Sequence, residues 1–166
     1  MAGSKLRTDE EIAELYERHK DTVYRVCFSY MKNPADTEDA VQNTFFKLIK
    51  AAPAFENEGH EKAWLIRTAS NLCKNELKHW RRRTEDIENY AHLAGTTDVP
   101  ADDILQAVLS LPDRCKTPVY LYYYEGYTTP QIAEMLKKRP STVRNQLREA
   151  RLLLKERLGD DDLEES

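Results

Sequence analysis

The strongest constraint on the fold is a pair of amphipathic segments joined by a tight turn in the last third of the chain. The first segment opens at Thr129-Pro130, because a hydroxyl followed by proline is typical of a helix start. Ser141 is expected to cap the second segment, which runs to about Leu158. Both segments repeat apolar residues at helical spacing on one side, namely Ile132, Ala133, Leu136, Val143, Leu147, Ala150 and Leu154. The pattern predicts a helix-turn-helix unit within 111–158.

The first half of the chain predicts three helices that share one core. Thr8 and Glu11 have the spacing of a capping box for the first helix, and Asn33-Pro34 ends that helix. Asp36 is expected to cap the second helix. The expected inward positions of the three helices are Ile12, Leu15, Tyr16, Val23, Val26, Cys27 and Tyr30, then Val41, Phe45, Leu48 and Ile49, then Leu65, Ala69, Leu72, Cys73, Leu77 and Trp80.

An acidic segment without helical period, 84–100, follows the third helix, which is expected over about 61–83. We interpret this segment as a flexible linker, because it contains glycine, two adjacent threonines and proline. A short helix then opens the second domain. The chain is therefore predicted to be all-α, with two small helical domains over 8–83 and 101–158, the second a helix-turn-helix, and an acidic tail over 159–166.

The segment 118–124 is ambiguous. Its valine and tyrosines suit a strand, yet apolar and polar residues do not alternate as they do in a half-buried strand. Thr117 and Pro118 suit a helix start, and Gly126 suits a helix stop. We therefore predict a helix here, and no segment of the chain needs a strand.

Charge is distributed unevenly along the chain. The net charge is −4, which taken alone argues against a nucleic-acid partner. However, 61–83 holds seven basic and two acidic residues, and 137–157 holds eight basic and two acidic residues. The segment 84–103 between them holds six acidic residues and no basic one. Two basic segments separated by an acidic connector favour nucleic-acid binding over merely solvated helix faces.

Other classes of function find little support. Cys27, Cys73 and Cys115 are widely separated, so we expect reduced core residues rather than a disulfide frame or a zinc site. The chain has no glycine-rich phosphate loop, nucleophile motif or metal-ligand spacing, so we expect neither an enzyme nor a cofactor. No apolar run is long enough to span a membrane and the N-terminus lacks the features of a signal peptide, so a cytoplasmic location is expected.

Both basic segments carry side chains that suit DNA. Arginine can pair with guanine, and asparagine or glutamine with adenine, in the major groove. The outer face of the last helix offers such side chains at Arg144, Asn145, Gln146, Arg148 and Arg151. Arg139 and the helix start at Ser141 suit phosphates. The third helix combines cations with Trp64 and two asparagines, which suits unstacked bases, whereas core packing is the preferred explanation of Trp80.

Three segments match one family pattern in both order and spacing. Residues 36–45 read DTEDAVQNTF, and residues 63–72 read AWLIRTASNL. The third match begins with LPDR at 111–114, passes through YEGY at 124–127 and QIAE at 131–134, and ends with the helix STVRNQLREAR at 141–151. Together these segments resemble the bacterial RNA polymerase sigma factors of the extracytoplasmic-function (group 4) type in the sigma-70 family.

The resemblance implies a promoter-specificity subunit that binds core RNA polymerase, recognises the −35 and −10 promoter elements and promotes DNA opening. Contacts with the clamp helices of core polymerase (its β and β′ subunits) are implied for Asp36, Glu38, Asp39, Gln42 and Phe45, although the acidic cluster among them also suits a helix dipole. Contacts with the −10 element are implied for Trp64, Arg67, Asn71, Lys74, Asn75, Lys78, Arg81 and Arg82. Contacts with the −35 element are implied for Arg139, Ser141, Thr142, Arg144, Asn145, Gln146, Arg148 and Arg151. An anti-sigma factor is a further implied partner, and no membrane insertion is expected.

The chain departs from the family pattern at the helix-turn-helix. Lys137 stands at a turn position usually held by glycine, so we expect it in the left-handed conformation. Glu149 stands at a position that is often basic and base-reading, and Gln146 replaces a frequent arginine. Two other hypotheses remain open at this point. The first is a stand-alone transcriptional regulator with a helical sensing or dimerisation domain, and the second is a helical adaptor that binds only protein.

Overall fold

The computed structural model describes residues 4–87 and 103–159, which fall into two compact units divided between Asp98 and Val99. The described helices are α1 (Asp9–Met31), α2 (Pro34–Ala51), α3 (Glu58–Ile87), α4 (Asp103–Leu109), α5 (Asp113–Val119) with a π-helical turn (Tyr120–Tyr124), α6 (Thr129–Leu136) and α7 (Pro140–Leu158). An isolated bridge between Ser4 and Pro53 is the sole β feature of these residues. The all-α prediction is confirmed. Residues 88–102 and the acidic tail from 160 onwards lie outside the described residues.

Three long helices, α1 to α3, build the N-terminal unit by packing against one another. Their shared core is fully buried at Val23, Val26, Leu48, Leu65, Ile66 and Ala69. Burial of each large apolar side chain stabilises the unit by about 1.5–3 kcal/mol before the entropy of ordering the chain is subtracted. Two residues that the helical period assigns to the core, Tyr16 and Ile49, are exposed instead, at 41% and 47%. Those two predictions were wrong, because both side chains line an open groove between α1 and α2.

A buried ion-pair cluster ties α3 to α1. The Glu61 side chain is only 11% exposed, and its Oε1 lies 2.6 Å from His19 Nε2. Arg18 Nη2 donates to the same oxygen at 2.9 Å, and Arg18 Nε donates to it at 3.2 Å. Because a buried carboxylate is costly unless it is paired, these contacts fix the N-terminal part of α3 against α1.

The helix starts of the N-terminal unit were predicted with mixed success. The capping box of Thr8 and Glu11 is confirmed, with both reciprocal hydrogen bonds present. The predicted cap of α2, Asp36, is wrong. Asn33 caps this helix by accepting a hydrogen bond from the Asp36 N–H at 2.9 Å, because Pro34 lacks an N–H and suits the first helical position. Helix α3 also extends to Ile87, four residues beyond the predicted end of the domain.

The C-terminal unit packs α4, α5 and α6 against α7. Its core includes Cys115, Leu121, Ile132, Val143 and Ala150, each fully buried. All three cysteines of the chain are buried and none forms a disulfide. No helix among the described residues combines the length and the apolar character needed to cross a membrane.

The segment 118–124 is helical, as predicted, but its helix starts earlier than expected. Helix α5 begins at Asp113, and Pro118 lies inside it rather than at its first position. Pro118 has no N–H to donate to the preceding turn. The backbone then widens into the π-helical turn, where the Glu125 N–H donates to the Tyr120 carbonyl at 3.2 Å. Gly126 ends the segment with a φ of 79°, as expected for a helix stop.

The helix-turn-helix consists of α6, a short turn and α7, and it is confirmed. The caps differ by one or two residues from the prediction, since Thr128 rather than Thr129 caps α6 and Arg139 rather than Ser141 precedes α7. Pro140 takes the first position of α7, which leaves Ser141 inside the first turn. Lys137 adopts the left-handed conformation, with φ 56° and ψ 47°, as predicted for a residue at a glycine position.

Candidate polymerase and nucleic-acid interfaces

An open groove of about 530 Å³ runs between α1 and α2 on the surface of the N-terminal unit. Its floor includes an edge-to-face contact between the rings of Tyr16 and Phe45, whose centroids are 4.9 Å apart. The residues that line it are Tyr16, Lys20, Asp21 and Tyr24 from α1, and Glu38, Val41, Gln42, Phe45, Phe46 and Ile49 from α2. The groove therefore combines exposed apolar surface with a rim of charged groups, a composition typical of protein interfaces.

Three of the five residues expected to contact polymerase line this groove, namely Glu38, Gln42 and Phe45. Asp36 serves the start of α2 instead, since its carboxylate accepts a hydrogen bond from Asn33 Nδ2 at 2.7 Å. Asp39 is exposed on α2 but does not line the groove.

Sequence reasoning missed Phe46, which is 64% exposed, and it treated Ile49 as part of the core. The available signal was the apolar run around Phe45, which is wider than one buried helix face requires.

Helix α3 collects all eight residues expected at the −10 element on one face. At 100° per residue, their positions span about 120° of the helix circumference, opposite the buried face. Asn71, Asn75, Lys78, Arg81 and Arg82 are exposed, whereas Trp64, Arg67 and Lys74 are half-buried. Burial lowers the pKa of the Arg67 guanidinium. The face thus passes from an aromatic and partly buried end to a strongly basic, solvated end.

Trp64 is held by an aromatic cluster at the N-terminal end of this face. The ring of Phe55 contacts both Trp64 and His60 edge-on, with centroids 6.0 Å and 5.4 Å away. The Arg7 guanidinium lies 5.0 Å above the Phe55 ring and donates to the Pro53 carbonyl. The segment before α1 therefore fastens the loop between α2 and α3, and sequence reasoning gave neither Arg7 nor Phe55 a role.

The outer face of α7 is a narrow basic stripe. Arg144, Arg148, Arg151 and Lys155 lie within about 60° of one another around the helix, and all four are exposed. Thr142 and Asn145 are exposed beside the stripe, and Arg139 and Ser141 are exposed at the helix start. Gln146 is half-buried, with its Oε1 enclosed and without a hydrogen-bond partner.

Glu149 interrupts the basic character of α7, and its carboxylate is paired. Arg114 of α5 donates from Nε to Glu149 Oε2 at 2.9 Å and from Nη2 to Oε1. The guanidinium holds the pKa of the Glu149 carboxyl below its usual value. Cys115 lies 3.7 Å from the same carboxylate, and burial, followed by the charge of Glu149, raises the pKa of its thiol to about 11.

Within the described ranges, no three histidine, cysteine or acidic side chains lie close enough together to hold a metal ion. Two helical units that each present a basic helix face, one of them within a helix-turn-helix, have the features of a DNA-binding protein.

Family comparisons agree with this class and narrow it. The family model for Sigma-70 region 2 matches residues 15–84, and the model for Sigma-70, region 4 matches residues 101–154. The chain belongs to the sigma-70 family of RNA polymerase sigma factors, in its extracytoplasmic-function group. It is a promoter-recognising subunit whose partners are core RNA polymerase and promoter DNA. The family assignment disfavours the stand-alone regulator and the adaptor.

Individual relatives cover nearly the whole chain. RNA polymerase sigma factor SigV of Bacillus subtilis is 32% identical over 87% of this chain and 89% of its own length. The ECF RNA polymerase sigma-E factor of Haemophilus influenzae is 29% identical over 87% of this chain and 85% of its own.

Two solved structures share the fold. One is the sigma factor RpoE in complex with the anti-sigma factor NepR from Bartonella quintana, with a TM-score of 0.68, 19% identity and coverage of 92% of this chain and 99% of that one. The other is CnrH in complex with the cytosolic domain of CnrY, with a TM-score of 0.61, 20% identity and coverage of 90% and 88%.

Proposed function

We propose that three surfaces divide the work of this sigma subunit. The groove between α1 and α2 docks on the clamp helices of core polymerase, the polar face of α3 opens and holds the −10 element, and α7 reads the −35 element. The functional domains would be 8–83 and 101–158, with 84–100 as the linker. The observation that carries most weight is that all eight expected −10 side chains occupy one face of α3.

The groove suits polymerase docking because it offers apolar contact area inside a polar rim. Phe46 and Ile49 expose apolar surface that water solvates poorly, and Glu38 and Gln42 beside them supply polar contacts. A helical partner laid along α2 would cover all four residues.

The face of α3 suits strand opening because its two ends differ. Exposed cations at Lys78, Arg81 and Arg82 can follow a phosphate backbone, while Trp64 and the exposed amides of Asn71 and Asn75 can engage unstacked bases. A helix that only solvated the protein surface would have no need of a half-buried tryptophan at one end of its polar face.

The stripe on α7 suits the major groove of duplex DNA. Arginines at Arg144 and Arg148 are one helical turn apart on the exposed side of a helix whose opposite side is locked by Val143 and Leu147. Because each unit alone offers few contacts, joining both through polymerase and the linker would raise the effective concentration of the second contact.

Regulation by an anti-sigma factor is part of the proposal. The two structural relatives named above were solved in complex with an anti-sigma factor and with the cytosolic domain of CnrY. Such an inhibitor would compete with polymerase for the groove. Affinity purification of the chain from its native host tests this, since a bound inhibitor should be displaced by core polymerase.

The subunit would act in the cytoplasm and would perform no covalent chemistry, which polymerase supplies. The direct test is run-off transcription with purified core polymerase on genomic fragments. Start sites that appear only when the chain is added support the proposal. Tight, specific binding to duplex DNA by the free chain, without any effect on polymerase, would support the stand-alone regulator instead.

The docking surface has its own test, a binding titration of core polymerase with variants of α2. Gln42→Ala and Phe46→Ala should weaken core binding, and Asp39→Ala should do so if the polymerase contact extends beyond the groove. Lys47→Ala is the matched control, because Lys47 is exposed on α2 but does not line the groove. Equal affinity for Gln42→Ala, Phe46→Ala and Lys47→Ala would contradict the docking assignment.

A further inference from the structure

Glu149 occupies an unexpected place for a carboxylate. It lies one helical turn after Asn145, and residues four apart share a helix face, so it borders the surface of α7 that is proposed to read the −35 element. Its neighbours on that side of the helix are Asn145 and Gln146, which lie four and three positions earlier. A carboxylate there either faces DNA phosphates, which repel it, or accepts a hydrogen bond from the N4 amino group of cytosine.

The structure shows a third state, in which the carboxylate is engaged by another helix. Both oxygens of Glu149 are occupied by Arg114, one by Nε and one by Nη2, in the two-pronged geometry that guanidinium and carboxylate groups favour. Cys115 adds a weak contact to Oε2 at 3.7 Å. The side chain of Glu149 is 35% exposed, so it is accessible to a partner if Arg114 releases it.

Arg114 is well placed for this role by the fold. It lies in the first turn of α5, and α5 packs closely against α7. The two residues are 35 positions apart in the sequence, so only the packing of the unit brings them together.

We infer that Arg114 is a positioning residue that sets the base preference of α7 by holding the Glu149 carboxylate away from the DNA bases. The inference rests on the proposed −35-reading role of α7. While the pair is intact, Glu149 contributes neither attraction to cytosine nor full repulsion of phosphates, and the preference comes from the neighbouring arginines and amides. Without Arg114, the carboxylate turns towards the bases and adds a preference for cytosine at one position.

The test is a selection with reconstituted holoenzyme from a promoter library whose −35 element is randomised. Arg114→Gln should enrich cytosine at one position by about fivefold or more, the lower end of what a good base contact discriminates. The double variant Arg114→Gln/Glu149→Ala should return to the wild-type preference, and Glu149→Ala alone should keep it. Arg114→Lys, which retains the charge but not the fork, should give a smaller cytosine enrichment.

Arg157→Gln is the matched control, because it removes one exposed cation from the same unit without touching Glu149. A purely structural pair would lower transcription for Arg114→Gln with an unchanged base preference, and that result overturns the inference. A preference shifted equally in Glu149→Ala and Arg114→Gln also overturns it, since Glu149 would then already read a base. If wild-type holoenzyme selects no −35 sequence at all, the proposed role of α7 fails instead.

Discussion

The two basic helices, α3 and α7, each pair one carboxylate with side chains of a neighbouring helix, and the two carboxylates differ in burial. Glu61 of α3 is 11% exposed and is shared by His19 and Arg18 of α1. Glu149 of α7 is 35% exposed and is paired with Arg114 of α5. The first carboxylate lies within the packed interior of its unit, whereas the second borders the surface proposed to meet DNA.

This difference in burial suggests different roles: the Glu61 pair fixes α3 against α1, whereas the Glu149 pair can affect DNA specificity. Removing a partner from a buried charge is costly, because the charge stays desolvated without compensation. The Glu61 cluster can therefore keep α3 packed against α1. An exposed pair contributes little to stability because water screens both charges. Changes to the Glu149 pair can therefore alter DNA specificity without much loss of folding stability.

The largest expected effect is on stability, through the buried Glu61 cluster. Glu61→Ala should lower the free energy of unfolding of the N-terminal unit by about 3 kcal/mol, because it leaves His19 and part of Arg18 without their partner. Both tryptophans of the chain lie in α3, so urea unfolding followed by tryptophan fluorescence reports on this unit alone.

The control is Glu58→Ala, since Glu58 also faces Arg18 from the first turn of α3, at 3.8 Å, but is largely exposed. It should cost less than about 1 kcal/mol. Equal losses of stability for Glu61→Ala and Glu58→Ala would show that burial does not make the Glu61 contacts stronger.

The next effect concerns DNA affinity of α7. Replacing Arg144 or Arg148 by alanine should weaken holoenzyme binding to a promoter recognised by the wild-type protein. The loss should be about 1–3 kcal/mol if that arginine reads a guanine. The loss should shrink on a promoter changed at the base that it reads, as measured by binding titrations at fixed salt. An equal loss on every sequence would assign the arginine to a phosphate, and Arg157→Ala should have little effect on either promoter.

A smaller effect is expected at the turn of the helix-turn-helix. Lys137→Gly should raise the stability of the C-terminal unit by up to about 1 kcal/mol, because glycine adopts the left-handed conformation without the side-chain penalty. The unfolding of the C-terminal unit, followed by helical circular dichroism, should shift to higher urea. The urea midpoint followed by tryptophan fluorescence should not change. Lys32→Gly, at the left-handed end of α1, should instead shift the unfolding followed by tryptophan fluorescence. A shift of the fluorescence transition by Lys137→Gly would show that the two units unfold together.

The smallest effect is the pH dependence of the exposed tie. Arg114 lowers the pKa of Glu149 in the folded state, so the pair contributes stability above the unfolded pKa near 4.5 and loses it as pH falls through the folded value. Glu149→Gln should therefore be slightly less stable than wild type at neutral pH and equally stable well below pH 4.5. A difference that persists at low pH would mean that packing, rather than charge, accounts for it.

Much of the molecule follows from local sequence patterns. The period of apolar residues predicts the long helices, and the glycine-like turn position predicts the left-handed Lys137. Helix starts are harder to predict from sequence. The observed caps, Asn33, Thr128 and Arg139, lie one to three residues before the predicted caps, Asp36, Thr129 and Ser141. The choice depends on where proline, which cannot donate a hydrogen bond, falls in the first turn.

The sequence by itself determined the all-α class, the helix-turn-helix, the family and the two basic helix faces, because each depends on patterns within single helices or on the order and spacing of short motifs along the chain. Only the tertiary structure decided that Tyr16, Phe46 and Ile49 line an open groove and that Glu61 and Glu149 are tied to other helices. Those contacts join residues 43 and 35 positions apart, and their formation depends on how helices pack rather than on any local period.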